Sequence, residues 1–211
     1  MKNFIAVFSL LLITSAPLHA QSIKDVFDKN TKVVFLGLDF TRVKIIGEPL
    51  SKTEDIVAKQ FTLINEKFVN ERKKFDLNKV FNKPNLSTAI GMVNKRNESI
   101  DPSTLLSEDS DDYQRLQAKD IDELVKNFDF NGKTGTGLLF VVEGYNKAIK
   151  EISVYVTYIN LDTKKVILTE RATGELGAGF TYANYWLSGF KSLMDNIGKK
   201  EYKAWKAKYK A

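Results

Sequence analysis

Residues 151–173 read EISVYVTYINLDTKKVILTERAT and carry the clearest hairpin pattern in the chain. In the first half of this stretch, apolar side chains occupy every second position: Ile152, Val154, Val156 and Tyr158. A period of two is typical of a strand with one buried face. Residues 161–164, Leu-Asp-Thr-Lys, supply turn chemistry. Residues 165–173 are therefore predicted to return as the partner strand.

Further elements are predicted on both sides of this hairpin. Residues 32–40 and 137–143 are continuous apolar runs, the pattern of buried strands, and residues 75–81 alternate loosely as a short strand would. Helices are predicted over residues 51–74, 120–128 and 181–197, where apolar side chains recur at helical spacing. The order of elements predicts an α/β (α+β) fold, with a mixed, largely antiparallel sheet and helices packed mainly on one face.

The first twenty residues have the layout of a secretory signal. Lys2 precedes the apolar run 4–13, and Pro17 and Ala20 supply a helix break and a small residue before a cleavage site. The run is shorter than the roughly 20 apolar residues that a membrane-spanning helix needs. We expect cleavage after Ala20 and a periplasmic or secreted protein. Since the chain contains no cysteine, we expect no lipoprotein anchor.

The composition excludes several kinds of chemistry. The single histidine, His19, lies in the predicted signal, and there is no cysteine. The mature protein would therefore lack Ser-His-Asp and Cys-His catalysis and the usual zinc ligands. The stretch 132–137 resembles the end of a phosphate-binding loop, but Asn127 stands where that motif requires glycine. We predict no catalytic residues, no cofactor and no metal site.

Charged residues are distributed unevenly along the chain. Residues 199–211 hold six lysines and one glutamate, whereas residues 21–198 hold equal numbers of basic and acidic residues. A nucleic-acid-binding domain would spread its cations over a binding face, so that class is not predicted. We expect a signal peptide at 1–20, a single α/β domain at 21–198 and a basic aromatic C-terminal helix at 199–211.

The C-terminal helix is the most specific interaction signal. Tyr202, Trp205 and Tyr209 step by three and four residues, so they share one helical face that lysines flank. Such a helix can lie on an anionic membrane or polymer. Alternatively, the three aromatic rings bury enough area to dock the helix on the domain. The candidate interaction residues are Lys203, Trp205, Lys206 and Lys210.

Carboxylate side chains are the other candidate functional residues. Asp39, at the end of the first strand, is followed closely by Arg42, and the two form a candidate polar cluster. The alternative is an ordinary ion pair at the end of a strand. A hydrolase would need two carboxylates that converge in one cleft. The available ones are Asp39, Glu143, Glu170 and Glu175.

About half of the predicted mature chain resembles a known group of sequences. The stretches that carry the resemblance are 37–40, 135–143, 166–171, 174–179 and 184–186. They resemble uncharacterised exported proteins of Gram-negative bacteria. The order of strand, turn, strand, glycines and helix is more distantly similar to periplasmic domains of penicillin-binding-protein activators and curli-secretion lipoproteins. That resemblance implies a binding or assembly module. The chain departs from the lipoproteins in having no anchor cysteine.

Three functions remain open. The favoured one is an exported, non-catalytic envelope binding or assembly module whose partner is an envelope protein or polymer. The second is a carboxylate-dependent hydrolase of envelope polymer. The third is a peripheral binder of membranes or anionic polymers that uses the lysine-rich tail. None of the three functions involves a nucleic acid partner, and none requires a transmembrane segment in the mature chain.

Overall fold

The computed structural model describes residues 21–211; the predicted signal, with His19, lies outside the described residues. The strands are β1 Val33–Asp39, β2 Lys44–Ile46, β3 Ser87–Thr88, β4 Leu106–Ser107, β5 Thr136–Asn146, β6 Glu151–Asn160 and β7 Lys165–Glu175. The helices are α1 Ile23–Phe27, α2 Thr53–Asp55, α3 Phe61–Asn70, α4 Leu77–Val80, α5 Gly91–Asn97, α6 Ala118–Lys126, α7 Tyr182–Asn196 and α8 Tyr202–Lys208. The π-helical turns Ile56–Gln60 and Ile197–Glu201 join α2 to α3 and α7 to α8.

The sheet corrects the predicted fold class. Five strands follow the order β3-β1-β5-β2-β4, and every pairing along that path is parallel. The prediction of a largely antiparallel sheet is therefore wrong. The predicted hairpin itself is confirmed, because β6 pairs antiparallel with both β5 and β7. The parallel strands escaped detection because β3 and β4 have only two residues each.

The prediction that helices pack mainly on one face of the sheet is also wrong. Along β5, Leu138, Phe140 and Val142 pack into one core, which also holds side chains of α3 and α7. The alternate residues Leu139 and Val141 pack into a second core with side chains of α5 and α6. Because successive side chains of a strand point to opposite faces, both faces of the sheet are covered. Helices therefore do not lie mainly on one face.

Local differences have clear physical causes. The segment predicted as a strand at 75–81 contains α4, whose first turn is capped by Asp76 accepting from the Lys79 backbone N–H at 3.0 Å. Gly174 lies just beyond the predicted strand 165–173, yet it is the penultimate residue of β7. A Cβ atom at Gly174 would lie 2.6 Å from the backbone nitrogen of Leu193, so its absence allows α7 to pack closely on the sheet.

Candidate functional site

Three of the four carboxylates that a hydrolase could use bind different cations, and the fourth, Glu175, is exposed at the end of β7. Asp39 is fully buried, and its Oδ2 accepts from Arg96 Nε at 3.0 Å. Glu143 is also fully buried and accepts from Arg171 Nε at 2.9 Å. Glu170 accepts from Lys208 Nζ at 2.6 Å. Catalytic carboxylates of glycosidases instead flank an open cleft as a pair, so this arrangement does not supply what the hydrolase alternative requires.

The two residues of the predicted polar cluster do not pair with each other. Asp39 binds Arg96 of α5, and Asp39 Oδ1 accepts from the backbone N–H and the hydroxyl of Thr41 at 2.8 and 2.5 Å. Arg42 is exposed, and its carbonyl oxygen accepts from Arg115 Nη2 at 2.6 Å. Arg96 went unnoticed in the sequence because it lies 57 residues after Asp39, and no local pattern marks it.

The aromatic face of the C-terminal helix docks on the domain. Trp205 is only 6% exposed and belongs to the α3/α7 core. The Tyr202 ring lies 5.3 Å from that of Phe27, and the Tyr209 hydroxyl donates to Glu170 at 2.7 Å. Trp205 is therefore not available to a partner. Of the candidate interaction residues, Lys203, Lys206 and Lys210 are exposed.

A groove of about 400 Å³ runs between the segment after α3 and the last turns of α7. We call it the basic groove. It is lined by five lysines and two aspartates, namely Lys73, Lys74, Lys79, Lys191, Lys199, Asp76 and Asp195. Gly198 and Val80 also line the groove, one from each of the two segments.

Three lysines of the basic groove have no anionic partner in the described part of the chain. Within residues 21–211 no carboxylate oxygen lies within 4.0 Å of the ammonium nitrogen of Lys73, Lys79 or Lys199. Of the other two, Lys191 binds Asp195 at 2.5 Å and Lys74 binds Glu71 at 3.6 Å.

The exposed lysines of the tail add to this positive surface. Lys200 directly follows Lys199 of the basic groove, Lys203 and Lys206 lie further along on α8, and Lys210 lies just after the end of α8. The sequence pattern predicts the positive charge of the tail, but it does not predict that Lys73 and Lys79 add to the same surface. The basic triplet of residues 72–74 was a usable signal, but nothing in the sequence brings it next to residue 199.

Membrane-spanning helices and clusters of metal ligands are two other features that would point to a function. Within residues 21–211, no helix combines the length and the apolar character needed to cross a bilayer. The same residues contain no group of three or more His, Asp or Glu side chains arranged to hold a metal ion.

Comparison with known proteins finds distant likeness among solved structures. No family model and no curated protein matches the chain. The C-terminal domain of LpoB from Salmonella enterica aligns with 11% identity and a TM-score of 0.30, over 70% of this chain and 84% of that one.

Two other solved structures align over most of their length. Lipoprotein GNA1162 from Neisseria meningitidis has 9% identity and a TM-score of 0.30, over 81% of this chain and 98% of that one. The hypothetical protein CT253 from Chlamydia trachomatis has 9% identity and a TM-score of 0.35, over 84% and 96%. TM-scores this low carry no argument about function.

Proposed function

We propose that this chain is a non-catalytic envelope module that binds a phosphate-rich anionic ligand along the basic groove and the neighbouring tail lysines. The observation that carries the proposal is that Lys73, Lys79 and Lys199 lie around one groove and have no ion-pair partner within residues 21–211. Placement in the envelope is part of the proposal and rests on the signal-like layout of residues 1–20.

The kind of cation favours phosphate groups presented in many orientations. The cations lining the groove are lysines. A lysine ammonium is a compact point charge on a flexible stem, whereas arginine imposes a planar, bidentate geometry. A lysine-lined groove therefore suits a repetitive polyanion or a headgroup surface. Clustered charge of one sign also raises the local concentration of an oppositely charged ligand.

The docked tail helps to hold this surface in place. Trp205 is buried, and Lys208 and Tyr209 both bind Glu170 of β7, at 2.6 and 2.7 Å. Because these contacts fix the last helix on the domain, the ligand meets Lys203 and Lys206 on an ordered helix. The cost of ordering them on binding is correspondingly small.

Binding assays with two phosphate sources test the proposal. The probes are soluble polyphosphate, vesicles containing phosphatidylglycerol, and vesicles of phosphatidylcholine alone. We expect binding to at least one of the two polyanions, little binding to the zwitterionic vesicles, and an affinity that falls about tenfold as salt rises from about 50 to about 200 mM.

The results of these assays show which kind of phosphate compound is the ligand, and they can also overturn the proposal. Binding to the vesicles alone would identify lipid headgroups as the ligand, and binding to polyphosphate alone would identify a soluble or polymeric source. No binding to either polyanion at low salt would overturn the proposal. Equal binding to the zwitterionic vesicles would also overturn it, because charge would then not be the attraction.

A further inference from the structure

A second cavity, separate from the basic groove, opens where the chain passes from β1 to β2. Its volume is about 330 Å³, and its polar lining comes from Thr41, Arg42, Arg96, Ser99, Asp101 and Thr104. No residue lines both this cavity and the basic groove. We call it the arginine cavity.

Arg96 is held in a fixed orientation at the wall of the arginine cavity. Its Nε donates to Asp39 at 3.0 Å, and its guanidinium carbon lies 5.0 Å from the centre of the Phe128 ring. Its Nη2 lies 3.5 Å from the Thr41 hydroxyl. Within residues 21–211, its Nη1 donates to no protein atom, so this end of the guanidinium is left to bind another acceptor.

Arg42 is a second arginine in the lining of the cavity. Its backbone is held by Arg115, whose Nη2 donates to the Arg42 carbonyl oxygen at 2.6 Å. In the described part of the chain, the Arg42 side chain forms no ion pair within 4.0 Å. Two arginines at one small cavity are suited to a carboxylate or a phosphate, because each guanidinium presents planar pairs of donors.

An acidic residue in the lining of the arginine cavity favours a carboxylate over a phosphate. Asp101 is the one acidic residue that lines the arginine cavity, and its hydrogen bonds from the Ser103 hydroxyl and backbone N–H lower its pKa. Asp101 is therefore ionised at neutral pH. Repulsion from its carboxylate would act more strongly on a phosphate dianion than on a singly charged carboxylate.

Two hydroxyl groups of the wall are oriented as acceptors. The Ser99 hydroxyl donates its proton to the Arg96 carbonyl oxygen at 2.7 Å, and the Thr104 hydroxyl donates to that of Asp101 at 2.8 Å. With their protons committed, both oxygens are left to accept from an N–H group. The arginine cavity therefore combines donors for an anion with acceptors for a neighbouring N–H.

We propose that the arginine cavity binds the terminal carboxylate of a peptide, with Arg42 and Arg96 on the carboxylate and the Ser99 and Thr104 oxygens accepting from a backbone N–H. The cavity volume is at the lower end of the range for small-ligand sites, which suits the last one or two residues of a chain. This site is independent of the proposed phosphate-binding surface.

The test uses acetyl-alanyl-alanine, its C-terminal amide and inorganic phosphate as probes, with binding followed by calorimetry and backbone NMR. The acid should bind at millimolar concentration and shift the amide resonances of residues 96–104. The amide should bind at least about tenfold more weakly, because it lacks the charge that the arginines recognise. Phosphate should also bind more weakly than the acid.

Variants identify the site. Arg42→Gln changes an exposed side chain and should weaken binding of the acid at least about fivefold. Lys95→Gln, an exposed neighbour of Arg96 on α5, is the matched control and should leave the affinity unchanged. The proposal is overturned if the acid does not bind, if the amide or phosphate binds equally well, or if Arg42→Gln binds like the wild type.

Discussion

Arg171 and Glu143 are joined by two hydrogen bonds, from Nε to Oε2 at 2.9 Å and from Nη2 to Oε1 at 3.0 Å. Glu143 is fully buried, and its Oε1 also accepts from the Leu116 backbone N–H at 2.5 Å. Arg171 Nη2 further donates to the carbonyl oxygens of Gln114 and Leu116 at 3.1 and 2.6 Å. This ion pair therefore joins β5 and β7 to the segment before α6.

Removing the cation of this pair should destabilise the fold strongly. In Arg171→Met the Glu143 carboxylate would remain buried without its cation, so we expect the free energy of unfolding to fall by about 3 kcal/mol. Urea denaturation measures the change. The double variant Arg171→Met with Glu143→Gln should lose less than the single variant. A single-variant loss below about 1 kcal/mol would contradict this account.

Lys83 should make stability depend on pH in the alkaline range. Lys83 is 1% exposed, its ammonium donates to the carbonyl oxygens of Asp25 and Asp28, and burial lowers its pKa to about 8. The unfolded chain keeps an ordinary lysine pKa and therefore binds more protons above pH 8. The Lys83 contribution to stability should thus rise with pH, by about 1.5 kcal/mol between pH 8 and 9.5.

Chemical denaturation at several pH values measures this effect against Lys83→Met. The variant should lack the rise, so the difference in stability between the two proteins should change with pH in favour of the wild type. Parallel stability curves for the two proteins over this range would show that Lys83 titrates alike in the folded and unfolded chains.

Replacing Gly174 should disrupt the contact between β7 and α7. A Cβ atom there would run into the backbone of Gly189 and Leu193, which cannot move without displacing α7. We expect Gly174→Ala to lower the free energy of unfolding by about 3 kcal/mol. Gly177→Ala is the control, since its Cβ would only touch Ser188 at 3.6 Å. Equal stability of the two variants would contradict the close packing.

The docked tail predicts contrasting effects of two neighbouring residues. Trp205 is 6% exposed, so Trp205→Ala should cost about 3 kcal/mol of stability. Lys206 is exposed, so Lys206→Gln should change stability by less than about 0.5 kcal/mol. Thermal unfolding followed by circular dichroism distinguishes the two. A harmless Trp205→Ala would mean that the tail does not rest on the domain.

What the sequence predicts depends on whether the pattern is local. The β6–β7 hairpin is readable because alternation and turn lie within one stretch, and Ile152, Val154, Val156 and Tyr158 do share the α3/α7 core. The parallel pairings join distant residues, such as Val34 with Ser87 and Ile45 with Leu106. Two-residue strands have no period to detect, which is why the sheet was mispredicted.

The same reasoning explains the candidate sites. Asp39, Arg42 and the tail lysines stand out by position or spacing along the chain. Their neighbours in the folded chain come from elsewhere: Arg96 reaches Asp39 from α5, and Lys73 and Lys79 line one groove with Lys199. Sequence patterns predict single residues of such sites, whereas tertiary packing determines which of them meet.

We expect the basic groove, and not net charge alone, to bind the anionic ligand. A triple variant, Lys73→Gln with Lys79→Gln and Lys199→Gln, tests it against a control with the same loss of charge. The control is Lys119→Gln with Lys126→Gln and Lys133→Gln. These exposed lysines lie on α6 and just after it, and α6 covers the other face of the sheet.

The measurement is the affinity of both triple variants for polyphosphate or phosphatidylglycerol vesicles, whichever the wild type binds, at about 50 mM salt. We expect at least a tenfold loss for the groove variant, on the order of 1 kcal/mol per lysine, and less than about a twofold loss for the control. Equal losses, or an unchanged groove variant, would contradict it.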